Sequence, residues 1–225
     1  MTNFEDGSGS SYIGVNGDFA NVLDHNDYLA LINSTDTAGV VLRAHLILED
    51  FLNIWCSKTS GSEDLFKGPF IGFRSKLSIA QNLGLNSKFF EVLEKFNKIR
   101  NSYSHNRRYT LEKSRLDALI LLVDDLHISE NLLPCKDFSI YIGRTDTVTD
   151  RNIEKSYKYE DADLNKKIII VFIVLVLNLL SWMQLEFERK GINYDQICLV
   201  DASSIIKWDA PNFFKLSEHK FCAVK

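Results

Sequence analysis

The chain has 225 residues, of which 45% are apolar and 12% aromatic, so it can bury a substantial core within one domain. Its net charge of −4 argues against a protein that coats nucleic acid with its whole surface, because such proteins are basic overall. The four cysteines form no C-x-x-C pair, and the first thirty residues contain acids but no basic segment. We therefore expect a cytoplasmic protein with reduced thiols, no signal peptide, and no metal or other cofactor.

The first half of the chain has the apolar periodicity of helices. Residues 1–18 are small and polar, which predicts a flexible N-terminal arm. After it, five segments repeat apolar residues at steps of three and four. The segments that we predict to be helices are 19–32, 37–57, 71–82, 87–105 and 111–127. Gly84 should end the third helix and Asn86 should cap the fourth. Short links between helices favour an all-α fold, an antiparallel helix bundle that occupies residues 19–190.

A further helix is predicted over residues 164–189, which contain the most apolar run of the chain. The run from 168 to 183 is interrupted by Asn178 and Ser181. A membrane span needs about 20 apolar residues, so this shorter run favours a core helix or a dimer contact. A membrane span is the less favoured alternative.

The remaining segments have weaker patterns. Phe138–Gly143 alternates apolar and polar residues and ends in glycine, which indicates a short strand. We expect a long polar loop over 144–163. Residues 191–225 mix short apolar runs with polar breaks, and we expect a C-terminal extension that is irregular or holds a small pair of strands.

The helix predicted over 87–105 ends in a cluster of basic and polar residues. Asn101 and His105 are four residues apart and share a face of that helix. Arg100 and His105 are five apart, about 140° around an ideal helix. Their side chains therefore meet only if the helix loosens, which Ser102 and Ser104 would favour, or if a second copy of the chain supplies one of them.

These residue types suit metal-independent cleavage of RNA. A histidine exchanges protons near neutral pH, and an arginine presents a charged fork that matches phosphate oxygens. We expect His105 to act as general acid and base, Arg100 to hold the phosphate and Asn101 to orient them. Nearby cations would steer the RNA backbone. These phosphate-binding candidates are Lys98, Arg107 and Arg108.

Arg100-Asn101 followed by His105 resembles the Arg-x4-His motif of the HEPN superfamily. The chain also resembles the mannitol operon repressor (MltR-like) branch of this superfamily, over about residues 28–128. This resemblance is carried by Pro69–Leu77, Leu83–Leu85 and Lys98–Asn101. Tyr103-Ser104 departs from the usual Phe-Ala, and Arg107 stands where another HEPN branch has a tyrosine. The resemblance implies a HEPN-like helical bundle that pairs as a homodimer, with two motifs facing one cleft.

Two functions follow from the motif and the resemblance. The first is an RNA-binding, metal-independent endoribonuclease, as in a toxin with an antitoxin or in a defence effector. The second is a non-catalytic regulator of transcription that works through protein partners, which the name of the branch implies. The sequence has no helix-turn-helix pattern, so we do not expect direct reading of DNA.

Overall fold

The computed structural model describes residues 17–63, 65–68, 70–128, 132–146, 151–197 and 207–208. These residues are mostly helical, as predicted, and they also include a small sheet. The helices are α1 (His25–Asn33), α2 (Thr37–Ser60), α3 (Phe73–Asn82), α4 (Ser87–His105), α5 (Lys113–Asp124) and α6 (Leu164–Lys190). The predicted N-terminal arm lies outside the described residues, except for Gly17 and Asp18.

The ends of the helices follow the capping residues of the sequence. The prediction for α4 is confirmed at both ends, and the Asn86 side chain accepts a hydrogen bond from the Lys88 amide at 2.8 Å. Gly84, with φ +94°, follows the end of α3 as predicted. The single helix predicted over 19–32 was wrong. Asp24 has an extended backbone and caps α1, so only a short 3-10 helix, Asn21–Leu23, precedes it.

α6 is the core helix of the bundle. Its length and apolar composition would suffice to cross a membrane, but 89% of its most apolar window is buried inside the fold. α2 and α5 pack against it, and α2 also contacts α3 and α4. At the C-terminal end of α6, the Trp55 ring lies 4.6 Å from Trp182 and 5.6 Å from Phe187, between ring centroids. The prediction of a core helix is therefore confirmed.

The sheet corrects the prediction of a polar loop over 144–163. β1 (Ser139–Asp146) continues beyond the predicted strand and pairs antiparallel with β2 (Arg151–Lys158), with Gly143 opposite Glu154. β3 (Lys207–Trp208) lies parallel to β1, which gives the order β2-β1-β3. Part of the predicted C-terminal extension thus joins the sheet. The apolar runs within 198–206 lie outside the described residues.

The segment after α6 packs back onto the bundle. The Ile197 amide donates to Gln184 Oε1 at 2.7 Å. The Asp195 amide donates to Asp18 Oδ2 at 2.9 Å, and the other oxygen of Asp18 pairs with Lys58 at 2.7 Å. Residues 192–197 therefore belong with the bundle rather than with a separate extension.

Candidate functional site

α4 remains a regular helix through the motif. Ser102 Oγ donates to the Lys98 carbonyl at 3.0 Å, and Ser104 Oγ donates to the Arg100 carbonyl at 3.1 Å. These bonds lie one turn back along the same helix, so the two serines do not break it. α4 therefore does not loosen at the motif, which was one of the two arrangements that the sequence allowed. His105 is the last residue of α4.

Arg100 faces a groove whose walls are α2, α3 and α4. The groove has a volume of about 1060 Å³, and Asn101 lines it beside Arg100. Arg100 Nη1 donates to Asn101 Oδ1 at 3.1 Å. Arg100 Nε is buried and has no hydrogen-bond partner among the described residues. The guanidinium is thus held by Asn101 and retains an unused donor.

His105 is exposed at the end of α4 and lies in a different hollow. This hollow, which we call the basic hollow, has a volume of about 670 Å³, and none of the described residues in its lining is acidic. Its lining residues are Lys95, Lys98, Ile99, Asn101, Ser102, His105 and Arg115. Lys98 is exposed and also bonds Glu94 at 3.0 Å. Four cationic or protonatable side chains therefore surround a space that a phosphate group can enter.

Sequence reasoning missed Arg115, which α5 brings to the basic hollow. Arg115 Nη1 bonds the Tyr109 hydroxyl at 3.2 Å and Ser102 Oγ at 3.4 Å. Its guanidinium also lies 5.7 Å from the centre of the Tyr109 ring. The residue is ten positions after His105, and only the turn between α4 and α5 brings it back, so no local spacing pointed to it.

The two remaining phosphate-binding candidates lie in the turn after α4. Arg107 lines a third hollow of about 640 Å³, together with His105 and Asp36. Arg108 is exposed, and its amide donates to Asn106 Oδ1 at 3.0 Å. The structure therefore brings Arg107 near His105 and holds Arg108 in the same turn.

His45 and Asn97 are further site residues that the sequence did not indicate. His45 lies on α2 and is only 2% exposed. His45 Nε2 lies 3.0 Å from Asn97 Oδ1, and its ring is 4.2 Å from that of Phe73. Burial lowers the pKa of His45 to about 4, and the charge of Arg100 acts in the same direction. His45 is therefore uncharged at neutral pH.

Within one chain, the predicted catalytic residues occupy two neighbouring surfaces. Arg100 and Asn101 line the groove between α2, α3 and α4, whereas His105 lines the basic hollow. Asn101 lines both, so it forms the boundary between them.

Comparisons of this chain with models of protein families, with curated proteins and with solved structures gave no match.

Proposed function

We propose that this chain is a HEPN-type RNA-binding protein that cleaves RNA without metal, through Arg100, Asn101 and His105. The observation that carries the proposal is the basic hollow around His105. A chain with a net charge of −4 places Lys95, Lys98 and Arg115 around one exposed imidazole, and the described part of the lining contains no acid. Such a local concentration of positive charge is the electrostatic requirement for binding a phosphodiester backbone.

The residues supply the groups that metal-free cleavage requires. A histidine base removes the proton of the ribose 2′-hydroxyl, whose oxygen attacks the adjacent phosphorus. The bond from phosphorus to the 5′-oxygen breaks, and His105, protonated in the first step, returns that proton to the 5′-oxygen. The products are a 2′,3′-cyclic phosphate and a 5′-hydroxyl. Arg100 stabilises the charge that builds on the phosphate, and its bond to Asn101 orients the guanidinium before the substrate arrives.

The geometry of α4 explains why the proposed site requires two chains. Arg100 and His105 point about 140° apart on a helix that stays regular, so one copy does not direct both at the same phosphate. A symmetric pair of chains brings Arg100 of one copy to His105 of the other, and forms two such combinations. We propose that the active form is this homodimer.

A second candidate function is supported by exposed apolar residues near Arg100. Phe70 is 95% exposed and Leu46 is 60% exposed, and both line the groove between α2, α3 and α4. Exposed large apolar side chains that share one surface are typical of protein-binding sites. The alternative is a regulator that binds a protein partner there and does not cut RNA.

The decisive experiment is an RNA cleavage assay in the presence of EDTA. We expect the wild type to cleave, and Arg100→Ala and His105→Ala each to lose a factor of about 100 or more in rate. Two variants outside the site serve as controls: Arg189→Ala removes an exposed guanidinium at the end of α6, and His127→Asn removes an exposed imidazole. Both should cleave like the wild type.

The opposite outcome is equally clear. If folded wild-type protein shows no cleavage above that of Arg100→Ala and His105→Ala, the ribonuclease proposal is wrong and the regulator is favoured. Circular dichroism of all variants establishes that they are folded.

A further inference from the structure

The groove that Arg100 lines contains polar atoms that the protein itself does not satisfy. In the described part of the chain, two buried side-chain atoms have no hydrogen-bond partner, Arg100 Nε and Asn53 Oδ1. Both residues line this groove. Asn53 donates through Nδ2 to Asp50 at 3.1 Å, so its oxygen is the unused group. Folded proteins leave few such atoms unpaired, and this donor and this acceptor belong to side chains that line one groove.

The other cations in the groove lining lie close to acids. Arg43 pairs with Asp27 at 2.9 Å, Lys76 with Glu49 at 2.7 Å and Arg74 with Glu94 at 4.0 Å. Arg100 has no acidic partner among the described residues, although it is partly buried. A ligand that presents an anionic group to Arg100 would therefore meet a cation that no carboxylate neutralises.

The groove also offers an aromatic surface. The Phe70 ring is almost fully exposed, and Leu46 adds apolar surface to the same lining. An exposed ring that lines the same groove as a guanidinium and amide side chains is a typical arrangement for single-stranded nucleic acid, whose bases stack on aromatic side chains. The volume of about 1060 Å³ is at the upper end of ligand sites, about 300–1000 Å³, and is large enough for a nucleotide.

The groove and the basic hollow meet at Asn101, which lines both. Asn53 lies eight residues beyond His45, about 12 Å further along α2. The charge of Arg100 helps to lower the pKa of His45, so Arg100 lies near the His45 end of the groove and Asn53 lies toward the other end. The two unpaired atoms are therefore toward opposite ends. An RNA strand bound in the basic hollow can therefore enter the groove past Asn101 and extend along it.

We propose that this groove is a nucleobase subsite, in which an unpaired base stacks on Phe70 while its phosphate bonds Arg100. The inference rests on the proposed function and adds a specificity residue to it. Because a base cannot stack on Phe70 while it is paired in a helix, the subsite selects single-stranded RNA. Phe70 is a binding residue and takes no part in proton transfer.

Binding of RNA that cannot be cleaved tests the subsite. The probe is a fluorescein-labelled 2′-O-methyl oligouridylate of about twelve nucleotides, and its Kd is measured by fluorescence anisotropy with EDTA present. We expect Phe70→Ala to raise the Kd about five- to a hundredfold, and Phe70→Trp to retain the wild-type value. Leu121→Ala is the matched control, because Leu121 is also exposed, at 71%, and lies on α5 outside the groove. It should bind like the wild type.

A second probe shows whether Phe70 contacts a base. In a series of oligonucleotides, one abasic residue is moved along the strand. At one position, we expect the abasic residue to weaken wild-type binding and to remove the difference between wild type and Phe70→Ala.

Other outcomes overturn the subsite in distinguishable ways. If the wild type binds RNA and Phe70→Ala binds equally well, the subsite is wrong while the proposed function stands. If the folded wild type binds no RNA, both are wrong. If Phe70→Ala binds RNA normally but no longer binds a protein partner that the wild type binds, Phe70 contacts a protein, and the nucleobase subsite is wrong. Because Phe70 is exposed, we expect its variants to fold, which circular dichroism checks.

Discussion

His45 and Asn97 connect α2 to α4 inside the fold, close to Arg100. The distance of 3.0 Å between His45 Nε2 and Asn97 Oδ1 defines a buried hydrogen bond. Asn97 lies one turn before Arg100 and Asn101, and all three line the same groove. A neutral imidazole in this place satisfies Asn97 without adding a second positive charge beside Arg100. The pair therefore helps to hold Arg100 at the groove, although neither residue is expected to touch the reacting atoms.

The lowered pKa of His45 predicts a pH dependence of stability. Between about pH 4 and pH 6.5 the unfolded chain binds a proton at His45 that the folded chain does not. The contribution of His45 is therefore complete above pH 6.5 and is lost as the pH falls toward 4, at up to about 3 kcal/mol in total. His45→Gln keeps an amide donor for Asn97 and cannot titrate in this range. In this pH range, we expect the unfolding of His45→Gln to take up about one proton fewer than the unfolding of the wild type, so its free energy of unfolding should depend less on pH.

Urea unfolding of wild type and His45→Gln at several pH values between about 4 and 7 measures this difference. Equal pH dependence of the two proteins would show that the folded state accommodates a charged imidazole at position 45, and the prediction would be wrong. His25→Gln is a useful control. Burial lowers the pKa of His25 as well, but the residue is only partly buried at the start of α1 and should have a smaller effect.

At the scale of elements, α6 packs against α1, α2 and α5, and most of its residues are buried. Phe187 is fully buried near its C-terminal end and contacts Trp55, Phe19 and Tyr194 through their rings. We expect Phe187→Ala to lower the free energy of unfolding by about 3–5 kcal/mol, because the smaller side chain leaves a cavity. Leu185→Ala, on the same helix but 55% exposed, is the control and should cost well under about 1 kcal/mol.

Chemical denaturation of both variants gives these values directly. A small effect of Phe187→Ala would mean that α6 does not organise the core near Trp55. A large effect of Leu185→Ala would instead mean that the exposed face of α6 is covered, for example by a second chain.

The elements that the sequence predicted well are those whose signals are local. α4 combines a strict apolar stripe with a capping asparagine, and both of its ends were predicted correctly. β2 was missed because Ile153 and Tyr157, its two large apolar residues, are four apart and show no alternation. Its strand conformation comes from pairing with β1, which local sequence does not encode.

The candidate site shows the same limit of local signals. Arg100, Asn101 and His105 could be chosen from their spacing at the end of a predicted helix. His45 lies four residues after Val41 and three before Leu48, which places it on the buried stripe of α2, but its polar ring adds no apolar signal to that stripe. The unpaired atoms of the groove and the exposure of Phe70 depend on how α2, α3 and α4 meet, so only the structure reveals them.

At the scale of the whole molecule, charge is distributed unevenly. The chain is acidic overall, yet the residues that the structure describes around the basic hollow include no acid. This arrangement favours contact with a phosphate backbone at one place and repels it elsewhere, so RNA would bind in a defined position rather than over the whole surface. α4 carries both motif residues and lies between the two surfaces that the proposed function uses.

The unbroken helix that carries Arg100 and His105 has a consequence for mixtures of inactive proteins. If each site takes its arginine from one chain and its histidine from the other, a heterodimer of Arg100→Ala with His105→Ala keeps one intact combination and loses the other. An equimolar mixture, unfolded and refolded together, should thus regain about a quarter of the wild-type activity, because about half of its dimers are mixed and each has one working site of two. A site built from a single chain would regain nothing, since neither parent retains both side chains.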